Sequence, residues 1–132
     1  MYPERYNPPG APAPAGPTAN MVRVPPGSEL FISAGLVARD EDGRTPAGAG
    51  AQWRVLMKRI ETMLAADGMD ARHLLKVTWH HCADIPLDDL IGGWMELHGD
   101  HLPPPATAVR VPALSNPDYL VEVEYMAARP PA

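Results

Sequence analysis

The segment Leu30-Phe-Ile-Ser-Ala-Gly-Leu-Val37 is a nearly continuous apolar run, and the fold assignment starts from it. A run of this length is typical of a strand that is buried on both faces. After a loop, apolar side chains recur at helical spacing from residue 51 to 67, and Gly68 is placed to end that helix. Residues 74–82 follow as a further strand.

A second helix and further strands complete the predicted fold. Asp84 before Pro86 indicates the cap and first turn of the helix. Its predicted apolar stripe comprises Leu87, Leu90, Ile91, Trp94 and Leu97. Strands are predicted at 21–24, 107–111 and 119–127. The order β-β-α-β-α-β-β predicts the α+β class, with both helices packed on one face of a mixed sheet.

The second face of that sheet must also be covered, because the runs 30–37 and 109–111 do not alternate with polar residues. About 110 ordered residues cannot cover both faces of such a sheet, so we expect a homo-oligomer in which sheets face one another.

The chain divides into three parts by composition. Residues 1–19 are rich in Pro, Ala and Gly, and we expect an extended arm with little structure of its own. Residues 20–129 are expected to form a single domain, and 130–132 a short tail.

Composition excludes several classes of function. A net charge of −5 disfavours binding to nucleic acids or anionic membranes, because both attract clustered cations. No apolar run approaches the roughly 20 residues of a membrane span, and no secretion signal is visible. Cys82 is the only cysteine, which excludes an intrachain disulfide. We therefore expect a cytoplasmic protein with no nucleic-acid or membrane partner.

Short motifs along residues 13–129 resemble those of the Rid (reactive intermediate deaminase, YjgF) family. Each motif is weak alone, but their common order and spacing make the resemblance specific. The motifs are Ala15-Gly16-Pro17, Leu30–Gly35, Ala51-Gln52, Ala65–Gly68, Leu75–Thr78, Gly99–His101 with Pro104-Pro105, and Leu120–Glu124. The resemblance implies a chorismate-mutase-like fold and a homotrimer, in which three sheets form a central barrel with small-molecule clefts between subunits.

The resemblance also implies a chemistry, the hydrolysis of reactive enamines and imines to 2-oxo acids and ammonia. Family members bind the substrate carboxylate with an arginine in a Pro-Ala-Arg-Ser pattern. Here the segment reads Pro104-Pro-Ala-Thr-Ala-Val109, and the alignment places Ala106 at the arginine, followed by Thr107 and Ala108. A shift of one residue would change which side chain faces the cleft.

Two further polar positions of the family pocket also differ in this chain. Thr18 stands where the family has a tyrosine, and Ala34 where it has a serine. Loss of the bidentate arginine contact costs about 2–5 kcal/mol, which is roughly two to four decades in rate. We therefore expect this divergent member to lack general 2-imino-acid deaminase activity.

Two features of the family pocket remain, Gly35 and Glu122, and in the family a glutamate at the latter position orients or activates the attacking water. Periodicity alone reads Glu122 and Glu124 as the polar face of a half-exposed strand. The resemblance makes Glu122 the candidate acid or base, whereas Glu124 is expected to be structural.

The remaining polar residues give weaker signals. Arg110 shares a strand face with Ala106 but is roughly 13 Å from it, so a surface or interface ion pair is favoured over a ligand role. His80 and His81 are adjacent in a strand and point to opposite faces, so they cannot chelate one ion together. His80 and Cys82 share a face but lack further nearby ligands, and nothing marks Cys82 as a nucleophile. We expect neither a metal nor a cofactor.

Two functions of different class remain open. In the first, the inter-subunit cleft acts on a larger or less anionic imine or enamine by hydrolysis, tautomerisation or cyclisation, with Glu122 positioning a water or a proton and the backbone near Gly35 contacting the reacting atoms. In the second, the trimer binds a small metabolite without catalysis.

Overall fold

The computed structural model describes residues 1–132 and contains one five-stranded sheet, a separate two-stranded ribbon and two α-helices. The strands are β1 (Glu4–Tyr6), β2 (Met21–Arg23), β3 (Glu29–Ile32), β4 (Leu36–Val37), β5 (Leu74–His81), β6 (Ala106–Arg110) and β7 (Val121–Arg129). The helices are α1 (Ala49–Ala66) and α2 (Leu87–His98), and a short 3-10 helix (Ala71–His73) precedes β5.

The main sheet is mixed, with the order β3-β7-β5-β6, and β4 also pairs with β7. Strands β5 and β6 are parallel, whereas the other pairs in the sheet are antiparallel. The α+β class and the placement of two helices against one face are confirmed. Neither α1 nor α2 combines the length and the apolar character that a bilayer-crossing helix needs.

The core lies between the two helices and the sheet and is centred on three tryptophans. Trp53 of α1 meets Trp79 of β5 edge to face, with 4.8 Å between ring centroids. Trp94 of α2 lies 5.8 Å from Trp79. Both helix tryptophans donate their indole N–H to backbone carbonyls, Trp53 to Leu90 and Trp94 to Pro17. Such satisfied aromatic contacts join the helices to the sheet.

The apolar run 30–37 forms two short strands and not the single strand that we predicted. Ser33 interrupts it, because its N–H donates to the Tyr125 carbonyl at 3.0 Å while its hydroxyl accepts from the Tyr125 N–H at 2.9 Å. The prediction of burial on both faces is also not met within one chain. Leu30 is 53% exposed and Ile32 is 69% exposed.

The apolar stripe predicted for α2 is too wide. Leu87 is 70% exposed and Ile91 is also exposed, whereas Trp94 and Leu97 are buried. The helix contacts α1 through Gly93, where an added Cβ would lie 3.0 Å from the Trp53 ring. This close approach rotates the first-turn apolar residues away from the core.

The amino-terminal arm is more ordered than its composition predicts. Strand β1 pairs with β2 in antiparallel register, so the proline-rich segment forms the connection of a long hairpin. Arg5 of β1 donates to the carbonyls of Ala71, Leu74 and Leu102. Composition could not show this, because the partners lie more than sixty residues away in the sequence.

Candidate functional site

The central acidic residue of the site, Glu122, lies on β7 between two neighbouring strands. Its cross-strand partners are His80 of β5 and Val37 of β4. Glu122, Glu124 and Met126 alternate with the buried residues of β7 and therefore face away from the helices. We call this helix-free side of the main sheet the open face.

Gly35 and Glu122 are brought together at the break between β3 and β4. A Cβ built on Gly35 would lie 2.7 Å from Glu122 Oε1 and 3.0 Å from its Cδ. The carboxyl group therefore rests against the glycine backbone, and any larger residue at position 35 would displace it. Gly35 and Ala34 are exposed, while Glu122 is half-buried.

Ser33 is a polar group at this site that the sequence interpretation missed. Its hydroxyl donates to the Ala34 carbonyl at 2.8 Å and accepts from the Tyr125 N–H, which fixes the turn that presents Gly35. The interpretation aligned the family serine with Ala34. The signal that could have found it was the neighbouring serine, one residue earlier in the same motif.

The structure corrects the prediction for β6, where Ala106 was placed at the family arginine. Ala106 and Ala108 pair with Val77 and Trp79, whose side chains are buried in the core on the helix side. Thr107 pairs with Thr78 and lies on the open face with Glu122. Ala106 and Ala108 therefore do not share a cleft wall with Glu122.

Thr107 takes the place of the family arginine when the Pro-Ala of the pattern is matched to Pro105-Ala106. This is the one-residue shift that the sequence left open. Lys76 is beside it, and its Nζ donates to the Thr107 hydroxyl at 2.7 Å. The open face therefore carries an ammonium group next to the position that the family arginine would occupy.

A cleft of about 180 Å³ lies on the open face beside Lys76. Its wall includes Ser33, Lys76, Thr78, Glu124 and Ile32. Glu124 therefore lines a polar concavity, although we expected a structural role for it.

Thr18 lies elsewhere in the chain and is half-buried. Its neighbours Pro17 and Ala19 bond to Trp94 and to the Pro103 carbonyl, which places this segment near the end of α2. The structure does not bring Thr18 to Glu122 within one chain.

The acid and the anchor position are also separated within one chain. Thr107 and Glu122 lie on strands two apart and are offset by two residues, which places their backbones about 12 Å apart. A 2-imino acid of a few carbon atoms is too short to contact both.

The remaining polar candidates have structural partners. Arg110 forms an exposed ion pair with Asp84, as favoured from sequence. Cys82 Sγ lies 3.4 Å from the Tyr119 carbonyl, and His81 Nδ1 lies 3.0 Å from the Ala83 carbonyl. No three His, Cys, Asp or Glu side chains lie close enough together to hold a metal ion.

Comparison with known proteins assigns the family. The family model described as Endoribonuclease L-PSP matches residues 10–129, which is nearly the whole chain. The chain belongs to this family. It is the Rid/YjgF family that the sequence motifs resemble. Among proteins with curated descriptions, none matches this sequence.

Solved structures share the fold at low sequence identity. The protein YyfB of Yersinia pestis, described as a conserved Rid family protein of unknown function, is 20% identical with a TM-score of 0.82; the match covers 98% of this chain and 100% of that one. RidA of an Antarctic Psychrobacter is 22% identical with a TM-score of 0.66, covering 89% and 92%. A Mycobacterium tuberculosis member of the YjgF/YER057c/UK114 family is 24% identical with a TM-score of 0.61, covering 83% and 84%.

Proposed function

We propose that this Rid-family protein is a cytoplasmic homotrimer that handles a small reactive imine or enamine in clefts between its subunits. Glu122 positions the water or proton that reacts. The observation that carries the proposal is the contact between the Glu122 carboxyl and the exposed backbone of Gly35. This places an acid-base group against a surface where a ligand can approach without a side chain in the way.

The exposed apolar side chains of the open face support the proposed assembly of several chains. Leu30, Ile32 and Met126 are exposed on it, and a second copy would remove this apolar surface from water. The two edges of the sheet also differ. Thr107 lies on the edge strand β6, whereas Gly35 lies at the opposite edge beside β4. Head-to-tail contact between copies brings these unlike edges together, and such contacts close into rings.

The resulting cleft would combine groups that are apart in one chain. Lys76 and Thr107 from one copy would lie near Gly35 and Glu122 of the next. In hydrolysis, the Glu122 carboxylate accepts a proton from water as the oxygen bonds to the imine carbon. The electron pair of the C=N bond moves to the nitrogen, which takes up the proton held by Glu122 and a second proton from solvent. The hydroxyl on the carbon then releases its proton to solvent as the C=O bond forms, the carbon–nitrogen bond breaks and ammonia leaves.

The expected substrate differs from the small 2-imino acids of typical members. Thr107 offers one hydroxyl in place of a guanidinium fork, and Lys76 offers a flexible point charge in place of a bidentate donor. We infer a substrate that depends less on carboxylate binding, being larger or less anionic. A non-catalytic binding trimer is the alternative.

Ribonuclease activity, which the family description names, has less support in this chain. The net charge is −5, and the open face presents Glu122 and Glu124. An RNA backbone would be repelled by these carboxylates, and nucleic-acid binding normally uses clustered cations.

The test is a comparison of Glu122→Gln with Glu124→Gln on the assembled protein. The substrates are imines generated in situ from a bulky apolar amino acid and, separately, 2-aminoacrylate, with ammonia release as the readout. We expect Glu122→Gln to slow hydrolysis of the bulky imine by about 100-fold, because general acid–base groups contribute that much. Glu124→Gln should change it less than about threefold.

Two outcomes would contradict the proposal. Equal rates for wild type and Glu122→Gln would remove the proposed role of this residue. A wild type that binds 2-oxo acids but accelerates no imine hydrolysis would favour the non-catalytic alternative.

A further inference from the structure

A second concavity lies where the amino-terminal strand meets the end of α2. It has a volume of about 260 Å³, and its wall includes Arg5, Asp70, Arg72, His98 and His101. Arg5 bonds to the Leu74 carbonyl at one end of β5, whereas the partner of Glu122 lies six residues along that strand, about 20 Å away. We call this concavity the arm pocket.

Arg5 brings a positive charge that no carboxylate contacts. Its guanidinium donates only to carbonyl oxygens, those of Leu102 at 2.7 Å, Ala71 at 2.5 Å and Leu74 at 2.8 Å. Its Nε–H is buried and has no partner. Burial lowers the pKa of Arg5 to about 10, which leaves it charged at neutral pH. A part-buried cation held only by neutral groups favours a nearby anion.

His98 adds an unpartnered imidazole to the same wall. It is 3% exposed, and neither Nδ1 nor Nε2 has a hydrogen-bond partner. Burial, and then the charge of Arg5, lowers its pKa to about 3. The ring is therefore neutral at pH 7 and keeps one N–H available as a donor.

Asp70 is on the pocket wall but does not neutralise Arg5. Its two carboxylate oxygens accept from the side chain and N–H of Arg72 and from the Tyr2 hydroxyl. Partial burial raises the pKa of Asp70, but these hydrogen bonds outweigh it and hold the pKa at about 2. In a formal count that takes both histidines of the wall as neutral, its two arginines and one aspartate leave one unbalanced positive charge.

We propose that the arm pocket binds a small monocarboxylate, and that a local movement of its wall exposes the buried Arg5 Nε–H and His98 ring so that they donate to the carboxylate oxygens. One negative charge matches the one unbalanced positive charge. A phosphate dianion fits less well, because the ionised Asp70 lies on the same wall and repels the second charge. The volume of about 260 Å³ is just below the 300–1,000 Å³ of typical drug-sized ligand pockets, and a small monocarboxylate such as propionate fits within it.

The experiment titrates the 132-residue protein with sodium propionate at constant ionic strength and follows two NMR signals, the Arg5 Nε–H where that residue is present and the Arg72 backbone amide in every variant. Inorganic phosphate is titrated in parallel. Arg5→Lys keeps the charge but removes the Nε–H, and His98→Phe keeps a ring but removes both nitrogens. Lys76→Met is the control, because it removes the cation of the open-face site and leaves the arm pocket intact.

We expect propionate to shift the Arg5 signal saturably, with affinity at least tenfold weaker in Arg5→Lys and in His98→Phe and unchanged in Lys76→Met. Three results would overturn the proposal. They are no saturation by about 10 mM propionate, tighter binding of phosphate than of propionate, and loss of binding in Lys76→Met alone. The assay does not involve Glu122, so its outcome is independent of the proposed function.

Discussion

The two faces of the main sheet are built from the same strands but differ in what they contact. On the helix face, Trp53, Leu56 and Ile60 of α1 are fully buried against the strands. On the open face, Ile32 is mostly exposed and Lys76 stands beside Thr107. One chain therefore completes one face only. The helix face holds the core of the fold, and the open face is the one that we propose to serve assembly and ligand binding.

The largest expected effect on stability comes from a cavity in the helix face. Leu56→Ala should lower the free energy of unfolding by about 2–5 kcal/mol, because a fully buried side chain is lost and the cavity cannot collapse. Ile32→Ala on the open face, measured by urea unfolding under dissociating conditions, should cost less than about 0.5 kcal/mol. Equal losses in the two variants would contradict the contrast between the faces.

A charge placed on the open face should act on assembly and leave the fold of the chain intact. Ile32→Asp should weaken subunit association by at least about 100-fold, because a carboxylate would lose water at the interface. Leu87→Asp is the matched control, since Leu87 is equally exposed but lies on α2. Sedimentation velocity of both variants measures the effect, and dissociation by Leu87→Asp alone would reverse the assignment of the two faces.

An arginine placed at the position of the family arginine should raise the deaminase activity only if it lies on the open face. Thr107→Arg places a guanidinium on the open face beside Lys76, and we expect hydrolysis of 2-aminoacrylate to rise by about 100-fold. Ala106→Arg, on the helix side of the same strand, should give no gain and should lower stability. A gain in Ala106→Arg would show that the alignment made from sequence was right and that Thr107 is not the anchor position.

The smallest effect concerns the pH dependence of stability, which we expect to come mainly from the buried His98, with a contribution of the same sign from His73, whose pKa burial also lowers. Burial and the charge of Arg5 lower the pKa of His98 from 6.5 to about 3 in the folded chain. Between these values the unfolded chain binds a proton that the folded chain does not, so stability falls as the pH falls.

Between pH 6.5 and pH 5, the free energy of unfolding should fall by about 2 kcal/mol, which urea unfolding can measure. His98→Phe should flatten the dependence, whereas His80→Phe on the open face should leave it in place. An unchanged slope in His98→Phe would exclude His98 as its source.

The fold was largely predictable because it depends on local periodicity. The helical spacing of Trp53, Leu56 and Ile60 and the apolar run 74–82 gave both elements nearly at their observed bounds. The break at Ser33 was not predictable in this way, since it depends on hydrogen bonds to Tyr125, over ninety residues away. The pairing of β1 with β2 and the carbonyl partners of Arg5 were not predictable from local sequence for the same reason.

The candidate site was only partly predictable, because face assignment depends on strand register. Glu122 and Gly35 were identified by family motifs, and the structure brings them into contact. The sequence includes Thr107 among the pocket residues but does not place it at the position of the family arginine. Only the pairing of β6 with β5 shows which side chain of β6 shares the face of Glu122. Lys76 was missed because it was read solely as part of a strand motif.

We propose that further copies of the chain cover the open face of the sheet. Native mass spectrometry of the wild-type protein measures this assembly. We expect a trimer with three times the 14.3 kDa mass of one chain, and we expect it to persist on dilution to micromolar concentration. A single species of 14.3 kDa would leave Glu122 and Thr107 about 12 Å apart in an unshared cleft and would contradict the account.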